Sequence, residues 1–449
     1  MSDLLGIGLS GLTAYRSALA AVGENVANAE TPGYARRTVR MSAINSGGGS
    51  DVQYREDMNF SGVNAIAVVR AYDIFRAAEA RHAAAGAGRG AVREQWLTGI
   101  ETALDDGPTG IGSRLTAFFT AGDILAAAPN DTLNRTRFLM ALDDVAGSFR
   151  TTGAALARIS TAIGESAGLE TTQLNQSLNA LADVNRSLLT APNGGTTRAA
   201  LEDQRDSLID SIAASIDVTV SYDSHGAASL RMADAPGATI LAPGNIGQIA
   251  TTQAPDGRLT VQLTNTSGTI AIAPATGKLA GYVDVANVTA DRRAALDTLA
   301  ADFATQINTW SAAGRDQAGN AGPTLLNASG GAATMTAPVV DPALVPAASI
   351  IGKANGNLLT LDALRGTNGA ERRWTNMVSG HGLVLNAAKA EAAATLAWKE
   401  NSYAALDETT GIDLDREAAD LLRFQQAYSA AARIVQVGRE IFEDILNVI

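Results

Sequence analysis

The sequence predicts a mostly α protein with an inserted β domain. Antiparallel coiled-coil helices form its termini, a long helical bundle its middle, and a small antiparallel β domain its distal tip. Three observations predict this. Apolar residues recur in steps of three and four near both ends of the 449-residue chain. Long Ala-rich periodic stretches between them break only at Gly and Pro turns, and the alternation switches to period two over residues 216–274. Hydrophobic residues make up 46% of the chain but aromatics only 5%. That balance favours helices packed closely along their length over a bulky core.

The first element is a helix over about residues 4–28. Leu5, Gly8, Leu12, Tyr15, Leu19, Val22 and Val26 form a single seam, broken only by the glycine. In the "NVANAETPGYARR" that follows, Thr31 precedes a proline and is biased away from helix, and Pro32-Gly33 marks a turn. Residues 37–57 are polar and Gly/Ser-rich, which reads as an extended connector. "GVNAIAVVRAYDIF" predicts a short strand leading into a helix near Tyr72, and helices continue to about Ser215. Their breaks fall at "DDGPTGIG", "AAPND" and "APNGG".

From Ile216 the segments "IDVTVSY", "ASLRMA", "ATILA", "RLTVQLT" and "TIAIA" alternate apolar and polar residues between short turns, an antiparallel β domain. Helix returns over 278–310, a loop-rich stretch covers 311–369, and a long helix spans about 372–407. Asp413 is the N-cap of the last helix, about residues 414–448, with Arg416 and Glu417 in its first turn. Two stripes run along that helix. Phe424, Ala427, Ala431, Ile434, Gly438, Ile441, Ile445 and Val448 form one; Leu421, Tyr428, Val435, Phe442 and Ile449 form the other. Together they are wider than one partner helix requires. The expected domains are residues 1–45 paired with 410–449, 46–215 with 278–409, and an outer β domain over 216–277. With gaps at Gly8 and Gly438, the terminal pair alone should be marginal, so its helices are expected to order fully only against neighbouring copies.

Chemistry is excluded more readily than assigned. The net charge is −12 with no long basic run, which argues against nucleic acid. The absence of cysteine rules out disulfides, thiolate catalysis and cysteine-ligated zinc. No run of 18 uninterrupted apolar residues is present, so no membrane insertion is expected, and Asp3 stands where a secretory signal would be positive. "GIGLSG" matches a dinucleotide-loop glycine pattern but has no preceding strand. His82, His225 and His381 stand apart without metal-ligand spacing and read as solvated or loop-capping. "GRDQAGNAG" lacks the carboxylates of a calcium loop. No enzyme site, cofactor or metal is expected.

"SGLTAYRSALAAVGENVANAETPGYARR" resembles the N-terminal signature of the flagellar axial proteins, the family of rod, hook and hook-associated subunits. Asn25, Asn28, Thr31, Pro32, Gly33 and Tyr34 match that signature position by position, whereas Arg37 and Arg16 stand where the family commonly has glutamine. "GIDLDREAADLLRFQQAYSAAARIVQVGREIFEDILNVI" is similar to the family's C-terminal end. "VRAYDIF", "FFTAGDILAAAPNDTLNRTRFLMALDDVAGSFR", "GKLAGYVDV" and "DPALVPAAS" add internal matches. The resemblance is strong over 1–150 and 370–449, moderate over 278–315, and absent in the β insertion. Its helical block and C-terminal end are most similar to the branch found at the junction of hook and filament.

The resemblance implies a structural subunit without catalytic activity. It would form a ring with copies of itself, touching the hook protein and a second hook-associated junction protein. It would be exported unfolded by the flagellar type III apparatus, with a cytoplasmic export chaperone on the C-terminal helix, and come to rest outside the cell. The assembly residues would be Leu5, Leu12, Tyr15, Leu19, Val22, Asn25, Val26, Asn28, Thr31, Pro32, Gly33 and Tyr34 at one end. At the other they would be Leu421, Phe424, Tyr428, Ile434, Val435, Ile441, Phe442 and Ile445. Two alternatives stand beside it: another axial subunit of hook or distal rod, or a secreted adhesin or effector with a coiled-coil stem. An effector would have no need of both tube-forming ends.

Overall fold

The computed structural model describes residues 2–44, 62–233, 235 and 237–448, and it is mostly helical with three small antiparallel sheets. Helix α1 is Ser2–Ala27; a turn leads to β1, Arg37–Ala43, which pairs antiparallel with β2, Val63–Arg70. This corrects the expected connector at 37–43. A polar stretch becomes a strand because its partner lies some twenty residues further on, where local composition gives no sign of it. The rest of that connector, 45–57, lies outside the described residues.

Four helices follow: α2 Ile74–Ala103, α3 Ile111–Ala127, α4 Thr132–Thr190 and α5 Thr196–Ser215. Asp73 and Asp131 accept backbone N–H bonds at the starts of α2 and α4, satisfying donors that have no partner within the helix. After the strands come α6, Lys278–Ala313, α7, Ala370–Thr410, and α8, Leu414–Val448. The body is built on α2 against α7, with α6 and the first half of α4 beside them. Its core holds Phe118, Phe138, Phe149 and Phe303, with Phe118 edge-on to Phe303 and Phe138 close to Trp310.

Residues 311–369 are not a loose excursion. Irregular backbone interspersed with short 3-10 turns brings Leu325, Leu326, Met335, Val345, Leu358 and Leu361 into the same core. Asn357 donates to the carbonyls of Trp310 and Pro346, while the Trp310 indole donates back to the Asn357 carbonyl. Arg135, almost fully buried, donates to the carbonyls of Pro129, Pro342 and Val345, which holds this irregular backbone against α4.

The strands form two sheets, β3-β4-β5-β6 and β7-β8-β9. They comprise β3 Val218–Tyr222, β4 Ala228–Met232, β5 Thr239–Ala242, β6 Asn245–Ile246, β7 Gln248–Gln253, β8 Leu259–Asn265 and β9 Gly268–Ile272. Their inner faces share one apolar cluster with Leu174, Leu178 and Leu181 of α4 and Ile209 and Ile212 of α5. A distal-tip location is therefore corrected. Tyr222 of β3 meets Tyr72 just before α2, on the side nearer α1 and α8. The opposite end of the α2/α7 pair is closed by α3 and the 3-10 segments, where Thr116 and Arg365 both bond Glu371. Burying the inner face of each sheet on helices already present leaves less apolar area exposed than standing off as a small separate unit.

His381 corrects a second expectation. It is buried rather than solvated, and its Nε2 lies 2.9 Å from the Leu97 carbonyl across the α2/α7 interface. Burial lowers its pKa below the ordinary histidine range. Leu4–Ala27 is, among the described residues, one helix long and apolar enough to cross a membrane by length and composition. One such stretch near an N-terminus is weak evidence for a span, and here it packs on α8, β1 and β2.

Candidate assembly site at the paired termini

Helices α1 and α8 run antiparallel in contact, with Leu5 near Gly438, Gly8 near Val435, Gly11 near Ala431, and Tyr15 near Phe424. The two glycines that thin the seams are sockets. A Cβ at Gly8 would stand 2.6 Å from a Val435 methyl, and one at Gly438 would stand 3.2 Å from Leu5. Absence of a side chain on one helix lets a side chain of the other seat there.

The pair is fastened to the body at the end of α1. Asn25 is fully buried and uses its whole hydrogen-bonding capacity. Its Nδ2 donates to the Arg37 carbonyl at 2.9 Å and to Glu417 Oε2 at 3.0 Å. Its Oδ1 accepts from the Arg37 N–H at 2.9 Å and from the Tyr34 hydroxyl at 3.0 Å. Toward Arg37 the amide thus behaves as one peptide unit of a neighbouring strand. Glu417, also fully buried, accepts from Arg36 Nε at 2.6 Å through its other oxygen, and Arg36 Nη2 reaches Asp420. The Arg36 N–H donates to the last carbonyl of α7, Thr410. Two stretches remote in sequence, 25–37 and 410–420, therefore close around a single amide and a single carboxylate.

The turn makes this possible. Asn28 donates from Nδ2 to the Glu24 carbonyl, Thr31 donates from its hydroxyl to Asn28 Oδ1, and Gly33 takes φ +79°, a region that favours glycine. The chain then re-enters with Tyr34 under the Arg37 guanidinium, 4.6 Å from its ring centre. Burial pushes the Tyr34 hydroxyl up to about 12, so it remains a donor at neutral pH.

Beyond the clasp, Arg37 and Arg70 share Asp203, and Arg70, Arg81 and Arg205 share Asp206, with Arg81 also on Asp210. Burial raises the Asp210 carboxyl above its ordinary value, a shift opposed by Arg81. These residues tie β1, β2 and α2 to α5. Sequence reasoning missed them, although Asp203, Asp206 and Asp210 stand three and four apart, one acidic face of α5. Arg36 and Glu417 were also missed as partners.

Of the residues expected to serve assembly, Val22 is buried, and Leu5, Leu12, Tyr15, Leu19, Leu421, Phe424 and Val435 are half-buried between the helices. Asn25 points inward, with its capacity used within the chain; this corrects its expected role as a neighbour contact. Asn28 and Tyr34 are half-buried in the turn. Val26, Thr31, Pro32 and Gly33 are exposed, as are Tyr428, Ile434, Ile441 and Phe442. The side chain of Ile445 lies outside the described residues. Ile434, Val437 and Ile441, spaced i, i+3 and i+7, form one apolar stripe of α8 that is open to solvent.

Helices α1 and α8, paired at the two termini of a helical body, define the architectural class. Residues 5–34 match the family described as "Flagella basal body rod protein", and residues 97–326 match "Flagellar hook-associated protein FlgK helical domain". The chain belongs to the flagellar hook-associated protein FlgK family. Flagellar hook-associated protein 1 of Escherichia coli is 27% identical over 331 residues, covering 72% of this chain and 59% of the relative. The protein of that name from Bacillus subtilis is 23% identical over 97% of this chain and 96% of its own. The flagellar hook junction protein FlgK of Burkholderia pseudomallei superposes with a TM-score of 0.51 at 21% identity. That match covers 56% of this chain and 46% of that one, a likeness of fold.

Proposed function

We propose that this chain is the subunit of the ring that joins hook to filament in the bacterial flagellum. The observation that carries the reading is an apolar stripe of α8 formed by Ile434, Val437 and Ile441, spaced i, i+3 and i+7 on one face and all exposed. Patches of that kind mark surfaces that another protein covers. The helix already has α1 on its inner side, so the stripe is left for neighbouring copies and adjoining axial subunits, and the terminal pairs would line up as coiled coils in a tube. The names of the relatives, hook-associated and hook junction, support this position over rod or hook.

Under the same reading the hook protein lies on one side and a second hook-associated protein on the other. Export proceeds through the flagellar type III apparatus, with a chaperone covering the stripe in the cytoplasm, and the assembled protein is extracellular. Deletion of the gene followed by electron microscopy tests the reading. Hooks lacking filaments, with flagellin shed into the medium, are expected. Normal filaments would refute it, and loss of the hook itself would favour an earlier axial role.

A further inference from the structure

At the end of the body opposite the terminal helices, residues 349–352 form a tight turn, with the Gly352 N–H donating to the Ser349 carbonyl. Its two central residues are Ile350 and Ile351, exposed by 68% and 91%. Turn centres favour Gly, Asn, Asp and Ser, so two adjacent β-branched apolar residues there contradict local chemistry. Val340 on the preceding loop is also 84% exposed. Nothing in the fold of a single copy explains this apolar tip.

The same end carries a groove of about 390 Å³ between the outer faces of α3 and α4, floored by Ala117, Ala121 and Ile124 with Arg137 on its rim. Its volume lies in the range of pockets that accept small apolar groups. The groove and the tip lie at the same level of the body. Asn355, just after the turn, donates to the Ala126 carbonyl at the end of α3, while Leu361 packs on Gly122 of α3's inner side. Charge complements shape, because Arg137 makes no ion pair among the described residues and neither does Asp341, beside Val340.

We propose that the Ile350–Ile351 tip of one copy seats in the α3/α4 groove of the next copy. Plug and socket occupy different surfaces of one chain, so the contact is head-to-tail, the type that closes into rings. This rests on the ring reading above and adds a second band of contacts, far from α1 and α8.

The chain has no cysteine, which permits a direct test. The full-length double variant Ile351→Cys with Ala117→Cys is expressed in the deletion strain, and isolated flagella are oxidised and run without reductant. A ladder of dimers, trimers and higher species is expected, absent from either single variant. Double variant present in flagella yet monomeric would overturn the contact while leaving the ring reading intact. Bands stopping at dimers would overturn its head-to-tail character. Absence of the wild-type chain from flagella would remove the ring reading and the contact together. As a second arm, Ile350→Asp with Ile351→Asp should leave the melting curve unchanged and reduce incorporation at least about tenfold, a loss of about 1.4 kcal/mol or more. Unchanged incorporation would sink the proposal.

Discussion

The body and the terminal pair are both helices against helices, yet they are held by different means. In the body, Phe118, Phe138, Phe149 and Phe303 are fully or almost fully buried and meet in one aromatic cluster. In the pair, a glycine on one helix receives a side chain of the other, Gly8 taking Val435 and Gly438 taking Leu5, and the buried anchors are polar: Asn25 and Glu417. A large apolar core is self-sufficient and forgiving in direction. Polar anchors hold only when every partner is present and aligned. The body is thus built to be stable as one copy, whereas the pair is built to be placed, with its apolar surplus facing outward.

This contrast can be broken first at the body. Phe303→Ala should cost about 3–5 kcal/mol, the usual penalty for emptying an aromatic core site. It should lower the melting temperature of the whole chain in calorimetry; an unchanged melt would mean that the cluster is not the keystone. Next comes the clasp. Glu417→Leu removes the acceptor for Arg36 and Asn25 and should cost about 2–3 kcal/mol of local stability, since bonds to a charged group are lost. Hydrogen exchange should rise along α1 and α8 and hardly change in α2 and α7. Equal rises in both regions would erase the distinction drawn above.

Gly8→Val tests the socket. Even a Cβ would stand 2.6 Å from Val435, so the helices must part, at about 1–3 kcal/mol. Exchange should again rise in α1 and α8 alone. The smallest effect is expected from pH. His381 has a lowered folded-state pKa, so its neutral form is the one that the fold prefers. Its contribution to stability is complete above the ordinary value of 6.5 and is lost as pH falls through that value toward the folded pKa. Denaturant titrations between pH 7.5 and about 5 should show this loss in the wild type and less of it in His381→Phe. Parallel curves would remove His381 as the cause.

Much of this was legible from periodicity. The helices and their breaks follow from steps of three and four and from Gly/Pro punctuation, and β3, β4, β5, β8 and β9 follow from alternation, whereas β6 and β7 were not anticipated. The stripes of α8 were legible as apolar, but not which residues face α1. Structure puts Leu421, Phe424 and Val435 inward and leaves Ile434, Ile441 and Phe442 outside. Residues 37–43 illustrate the other limit, since a strand defined by a distant partner leaves little local trace.

The sequence by itself determined the helical class, the punctuation of its elements, and the turn at Thr31-Pro32-Gly33, because these depend on backbone preferences within a few residues. Only the tertiary structure decided what Asn25 does. The same device recurs at Asn175 with Ile249 and Asn185 with Ala228, where a helix-borne amide both donates to and accepts from a strand's backbone. Asparagine in a helix interior carries no local advantage. Its value arises when a buried backbone needs a donor and an acceptor at one point, and where that backbone passes is settled by packing of the whole chain.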